Sequence, residues 1–208
     1  MPTIRSLTVL TVALAVALLA AGPAEAKKKK KRGNVPTEVG TYTDWNGDID
    51  RLEIVESFSA ADYSKLVVGE FATDGVPLPE ADDNAYEPVK SALADVATPL
   101  ANGVREGSDG FAVETGREGG EGTLLLRGRV LEMDPGSKAA RYWAGFGAGA
   151  ARTKVEGELV DAASGRVLLR FTQERRSGVG AFGGGYVELL RRNLFAIGED
   201  VGAGLTRF

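Results

Sequence analysis

The sequence predicts an α+β domain in two layers: one mainly antiparallel sheet with two amphipathic helices packed on one face. Three observations carry this expectation. Lys154 to Leu159 and Val167 to Thr172 alternate apolar and polar positions around a turn, which is hairpin patterning. Two later stripes of apolar residues recur at spacings of three and four, the period of a helix face. Hydrophobic residues make up 43% of the 208 and charged residues 26%, a globular balance.

Taken in order, Gly33 to about Ala60 is a lead-in of mixed signals, with Arg51 to Val55 as its only candidate strand. Ser64 to Phe71 holds the run Leu66-Val67-Val68, typical of a strand buried on both faces. Ala72 to Asp83, with Gly75, Pro77 and Pro79, reads as a loop. Tyr86, Val89, Leu93, Val96, Ala97 and Leu100 then mark a helix face. Pro88 fits its first turn, whereas Pro99 predicts a kink or stop near Thr98, with Gly103 ending any second segment. Phe111 to Glu114 and Thr123 to Met133 follow as strands, and Asp134-Pro135-Gly136-Ser137 is turn chemistry. After an aromatic, glycine-rich stretch from Ala139 to Ala151, a strand begins at Arg152 and turns back through Asp161 to Gly165. Ser177 to Gly185 is a glycine-rich loop, and Tyr186 to Leu205 forms the last helix, its final turn weakened by Gly202 and Gly204.

The N-terminus reads as an address. Arg5, the apolar run Leu7 to Ala21 and the small residues Ala24 and Ala26 form a secretory signal peptide, residues 1–26, cut before Lys27. The basic tract and lead-in then span 27–60, and a single α+β domain spans 61–208. The apolar run is too short for a comfortable bilayer span, and with no cysteine a lipidated anchor is excluded. A periplasmic or secreted location, with no transmembrane segment after signal removal, is the expectation. Lys27, Lys28, Lys29, Lys30, Lys31 and Arg32 are like charges that repel and stay solvated, and they could tether the protein to an anionic surface. From Gly33 onward 18 basic residues face 28 acidic ones, so the body repels phosphate and no nucleic-acid partner is expected.

At Gly136 to Ala150 the run GSKAARYWAGFGAGA, followed by a charged alternating strand and then Asp161-x-x-x-Gly165, resembles the bacterial domain of unknown function 4410 family. The glycine-rich loop and final amphipathic helix extend the likeness over roughly Tyr63 to Leu205. The resemblance implies a secreted envelope protein with a compact α/β domain. It implies no catalytic residue, because the family carries no established activity. More distantly, the layout is similar to small periplasmic modules that assist outer-membrane assembly or secretion complexes.

Chemistry is bounded by what is missing. There is no cysteine and no histidine, which removes disulfides, thiolate nucleophiles, histidine triads and cysteine or histidine metal sites. Gly145 to Ala150 fits G-x-G-x-x-A literally, but the alternation that follows predicts a strand where a dinucleotide site needs a helix, so no cofactor is expected. Asp44, Asn46, Asp48 and Asp50 place oxygens at alternate positions, a weak calcium pattern that an Asx-type turn explains equally well. Glu114, Glu132, Glu156 and Glu158 are the strand acids available to a hydrolase, and the last two should share one solvated face. Ser137 and Ser164 lack a base of the usual kind; Lys138 is the conceivable partner. Arg141, Tyr142, Trp143 and Phe146 combine residue types enriched at binding hot spots with neighbouring glycines, while Tyr142 and Phe146 read as well as plugs for one end of the core. The functional expectation is a non-catalytic binding or accessory module for a protein complex or surface in the envelope. The alternative is a carboxylate-dependent hydrolase acting on cell-wall glycan.

Overall fold

Alternating strand patterns need a partner on each side, and here they assemble into one seven-stranded sheet. A computed structural model of the chain describes residues 35–136, 149–177 and 185–208. The strands are β1 (Gly40–Trp45), β2 (Ile49–Ile54), β3 (Lys65–Ala72), β4 (Ala112–Thr115), β5 (Thr123–Asp134), β6 (Ala151–Asp161) and β7 (Val167–Ser177). Their order across the sheet is β1-β2-β7-β6-β5-β3-β4. β3 runs parallel to both of its neighbours, and the other pairings are antiparallel. The helices are α1 (Tyr86–Ala94), α2 (Ala97–Gly107) and α3 (Tyr186–Leu205).

The pleat sorts the two faces. Leu66, Val68, Leu124, Leu126, Val155 and Leu159 point to the main core, where they meet Val89, Leu100, Val104, Leu190, Leu194 and Ile197 of the helices. Val67, Leu125 and Val160 point the other way and form a small separate cluster without helix residues. The three α-helices of the described residues therefore share one face, and the α+β expectation holds.

Three corrections concern detail. The first predicted helix is two helices. A proline clashes with the carbonyl four residues back and offers that carbonyl no hydrogen bond. For Pro99 that carbonyl belongs to Asp95, which leaves helical geometry at φ −142° and ψ 80°, three residues before the expected stop. Pro99 then lies in the first turn of α2, where its missing N–H is not needed, and Asp95 Oδ1 accepts from Thr98 N at 3.2 Å. Second, the lead-in contains a whole hairpin, β1–β2, closed by left-handed Asp44, Asn46 and Gly47 at φ 50°, 57° and 70°. Only Trp45 of β1 is buried, so its apolar signal is faint. Third, Gly103 does not end α2 and Gly202 does not fray α3.

Those glycines are contact surfaces. α2 and α3 run parallel with their backbones touching. A Cβ built on Gly103 would lie 1.9 Å from Phe195 O, and one on Gly107 2.2 Å from Glu199 O. Reciprocally, Cβ atoms on Gly198 and Gly202 would lie 2.2 Å from Leu100 O and 2.5 Å from Val104 O. A second glycine device sits inside the sheet. Phe71, Gly128, Gly157 and Phe171 are register neighbours across β3, β5, β6 and β7. The Phe171 ring lies over Gly157, only 2.5 Å from where its Cβ would be.

The chain end is pinned by aromatic rings. Phe208 stacks between Trp45, with centroids 5.8 Å apart, and Phe58, at 4.7 Å. Tyr63 meets Phe58 edge-on.

Gly103→Ala and Gly198→Ala should each destabilise by about 2 kcal/mol or more, because forced overpacking outweighs the ~1 kcal/mol gain in helix propensity. Gly120→Ala, where the new methyl would meet nothing within 4 Å, should stay within about 0.5 kcal/mol. Urea unfolding of the three variants checks the order.

Candidate functional site

At the end of the sheet where β5 leaves and β6 enters, the surface opens into a cleft of about 520 Å³. Its walls are the start of α1 (Asp83 to Ala85), the end of β5 (Asp134 to Gly136), the entry to β6 (Gly149 to Arg152), Arg176 of β7 and Tyr186 of α3. Two left-handed glycines pinch the stems of the long β5–β6 connection together. Gly136 has φ 71° and Gly149 φ 70°, and a Cβ on Gly136 would fall 2.2 Å from Gly149 O. Any other residue type at Gly136 would be strained and would collide with the opposite stem.

The charges of the cleft are largely engaged. Asp83 Oδ1 accepts from Ala85 N at 2.7 Å, opening α1, and Asp134 Oδ1 accepts from Gly136 N at 2.8 Å. Arg152 and Arg176 stand directly opposite each other on β6 and β7, a like-charge pairing that needs a counterion. Glu174 supplies it, 2.6 Å from Arg176 Nε and 3.5 Å from Arg152 Nε, while Glu132 lies 3.1 Å from Arg152 Nη1. The arrangement can hold a polar or charged group at its rim. Its two acids each hold a backbone N–H, which is structural work.

Arg141, Tyr142, Trp143 and Phe146 lie outside the described residues, but their segment departs and returns through the two glycine stems at this cleft. Lys27 to Arg32 also lie outside the described residues. So do Ser137 and Lys138, whereas Ser164 Oγ accepts from Arg166 Nε at 3.1 Å. After Ala150 the chain enters strand β6, so the literal G-x-G-x-x-A run lacks the helix that a dinucleotide phosphate needs.

Asp44, Asn46, Asp48 and Asp50 form the β1–β2 turn and its flanks. Asn46 Nδ2 donates to Asp48 Oδ2 at 3.2 Å, and Asp50 Oδ2 accepts from Glu174 N at 2.7 Å. Among the described residues, no three acidic side chains gather as a metal ion would require. The turn geometry accounts for these residue types.

The strand acids lie on the helix-free face within an ion-pair ladder. Glu53, Arg170, Glu158 and Arg127 are register neighbours across β2, β7, β6 and β5. Arg127 Nη2 lies 2.7 Å from Glu158 Oε1, and Lys65 Nζ lies 2.7 Å from Glu114 Oε2. Pairs this exposed are each worth about 0–1 kcal/mol. Their geometry is that of a solvated face.

Two polar clusters were not foreseen in the sequence. At the β6–β7 turn, Tyr63 Oη donates to Asp161 Oδ2 at 2.9 Å, and Asp161 Oδ1 accepts from Ser164 N at 2.8 Å. Burial, reinforced by Asp161, pushes the Tyr63 hydroxyl up to about 12, while the Ser164 amide holds Asp161 below the usual carboxylate range. In the second cluster Asp200 of α3 meets Gln173 and Arg175 of β7. Burial pushes the Asp200 carboxyl up to about 6 against the pull of Arg175. One signal was available: Gln173 falls on the same strand parity as buried Phe171, and it is itself fully buried.

Among curated proteins, none matches the sequence. Solved structures overlay distantly. A PelC dodecamer from Paraburkholderia phytofirmans is 17% identical, covers 73% of this chain and 96% of that one, and gives a TM-score of 0.42. A Xanthomonas campestris protein of family DUF330 is 13% identical over 69% and 84% of the two chains, with a TM-score of 0.38. A homologue of a neuraminyllactose-binding hemagglutinin from Helicobacter pylori is 10% identical over 73% and 84%, at 0.32. The family model "Domain of unknown function (DUF4410)" matches residues 64–181, from the head of β3 through the glycine-rich connection after β7, and the chain belongs to that family.

Proposed function

We propose that this protein is an exported, non-catalytic module of the cell envelope that binds a protein partner through the Arg141–Phe146 segment of the β5–β6 connection, whose two stems border the cleft. One observation carries the reading. The connection from β5 to β6 leaves and re-enters the sheet through two left-handed glycines, Gly136 and Gly149, at the cleft, and its composition is that of a binding hot spot. The leader read at residues 1–26 supports export to the periplasm or beyond, and Lys27 to Arg32 offer an anionic surface a second, electrostatic contact. The hydrolase alternative needs two acids set across a pocket, with one kept protonated. Asp83 and Asp134 of the cleft are spent on backbone N–H groups, and Asp200, the acid pushed up by burial, does not line it.

Trp143→Ala should leave the unfolding midpoint within about 1 °C of wild type and reduce cross-linked partner capture in envelope preparations at least about tenfold, as loss of a hot-spot aromatic does. Capture at the wild-type level would remove the segment from the interface.

Deleting residues 27–32 should abolish binding to vesicles rich in anionic lipid at low salt, where each cation contributes about 1 kcal/mol. The intact protein should lose the same binding as salt is raised. Equal binding with and without the tract would end the tether.

A further inference from the structure

The β1–β2 hairpin hangs on the sheet by few backbone bonds. Paired residues of β2 and β7 run from Ile54 and Leu169 to Arg51 and Thr172, and there the pairing stops. Past that point side chains take over. Gln173 Oε1 accepts from Asp50 N at 2.8 Å, its Nε2 donates to Asp48 O at 2.7 Å, and Asp50 Oδ2 accepts from Glu174 N at 2.7 Å. Gln173 can do this only with its amide turned one way. Asp200 on α3 fixes that choice, because its Oδ2 accepts from the same Nε2 at 2.9 Å. The same oxygen takes Arg175 Nε at 2.6 Å and is paired with Arg175 Nη2, which also reaches Asp48 O at 3.4 Å. Helix, strand and turn thus meet at one carboxylate oxygen.

We propose that Asp200 is an acid-sensitive latch for the β1–β2 turn: its carboxylate holds Arg175 and Gln173 in place, and proton uptake releases Arg175 and loosens the turn from β7. The latch is independent of the binding role proposed above. The charged groups facing Asp200 are Arg175 from β7, which favours the carboxylate, and Asp48 from the turn, which disfavours it. From α2 and the residue that caps it, Gly103, Val104, Gly107 and Ser108 meet this stretch of α3, and all four are uncharged. Burial is the largest influence and lifts the group from 3.8 to about 6. The sign follows. Between those values the folded protein holds more protons at this site than the unfolded chain, so this group's contribution to stability falls as pH rises through the window. Mild acid therefore protonates Asp200 without drawing unfolding from this site, and the response is local.

Hydrogen exchange of the full chain tests this, with the Asp50 and Glu174 amides as reporters because side chains alone hold them. After correction for intrinsic rates, their protection should fall about tenfold from pH 7.5 to pH 5, the effect of losing one charge-assisted hydrogen bond, while β5–β6 ladder amides hold steady. Asp200→Asn should show the low protection at both pH values. Flat protection in the wild type, or an equal fall in Asp200→Asn, would overturn the latch. If the variant fails to fold, carboxyl carbon NMR of the wild type decides: an Asp200 midpoint near 6, tracked by Arg175 Nε, supports it, and a midpoint below about 4.5 overturns it.

Discussion

The backbone contact between α2 and α3 is the constraint on which the rest of the structure depends. Helix axes normally stand 8–10 Å apart because side chains separate them. Here Gly103 and Gly107 on one helix face Gly198 and Gly202 on the other, and the spacing of four keeps each pair on a single face. Backbones can then pack against each other directly. Glycine in a helix interior costs up to about 1 kcal/mol of propensity, so four such residues are tolerated only because the contact returns more. The close approach lets one helix layer cover β3 and β4 through α2 while α3 lies along β6 and β7. It also sets where α3 carries its polar groups: Asn193 under Ala151, Asp200 over Gln173.

The sheet is shaped by the same economy of volume. Gly128 and Gly157 sit side by side beneath Phe71 and Phe171, so two rings fill the space that four ordinary side chains would contest. On the opposite face, charges alternate along a strand row, and each carboxylate meets a guanidinium across the ladder. The short edge strand β4 is guarded by Arg105, which donates to Val113 O at 2.7 Å, and by the Lys65–Glu114 pair. Engaging an edge carbonyl this way discourages addition of a foreign strand.

Most of the architecture was legible in the sequence because period is a local property. β3, β5, β6, β7 and α3 fall where alternation or helical spacing places them, and the strand after the glycine run removed the dinucleotide reading. What escaped was set by distant partners. Gly103 and Gly202 look like helix breakers until the other helix is present, since their use lies in a contact some hundred residues away along the chain. β1 shows Thr41, Thr43 and Asp44 to solvent and fully buries only Trp45, so its pattern is too sparse to announce a strand. The break before α2 was foreseen from Pro99 but misplaced, because the clash acts on the carbonyl four residues earlier. Asp200 could not be recognised as special, since an acid on a helix gives no sign that a buried glutamine will face it.

The two ends of β6 are held in different ways. At its far end the turn to β7 is short and heavily bonded: Asp161 holds Ser164 N, Tyr63 Oη and, through its backbone, Arg166 and Gly165. Several of the turn's backbone groups are thereby tied down. At the near end the connections before β6 and after β7 are long and rich in glycine, and they depart around the cleft. Long connections on a rigid sheet cost ordering entropy, and Gly136 and Gly149 confine that cost here by closing the stems of the β5–β6 connection on each other. Arg152 and Arg176 stand opposite each other at this end, a like-charge pairing that would cost stability were it not neutralised by Glu174 between them and by Glu132.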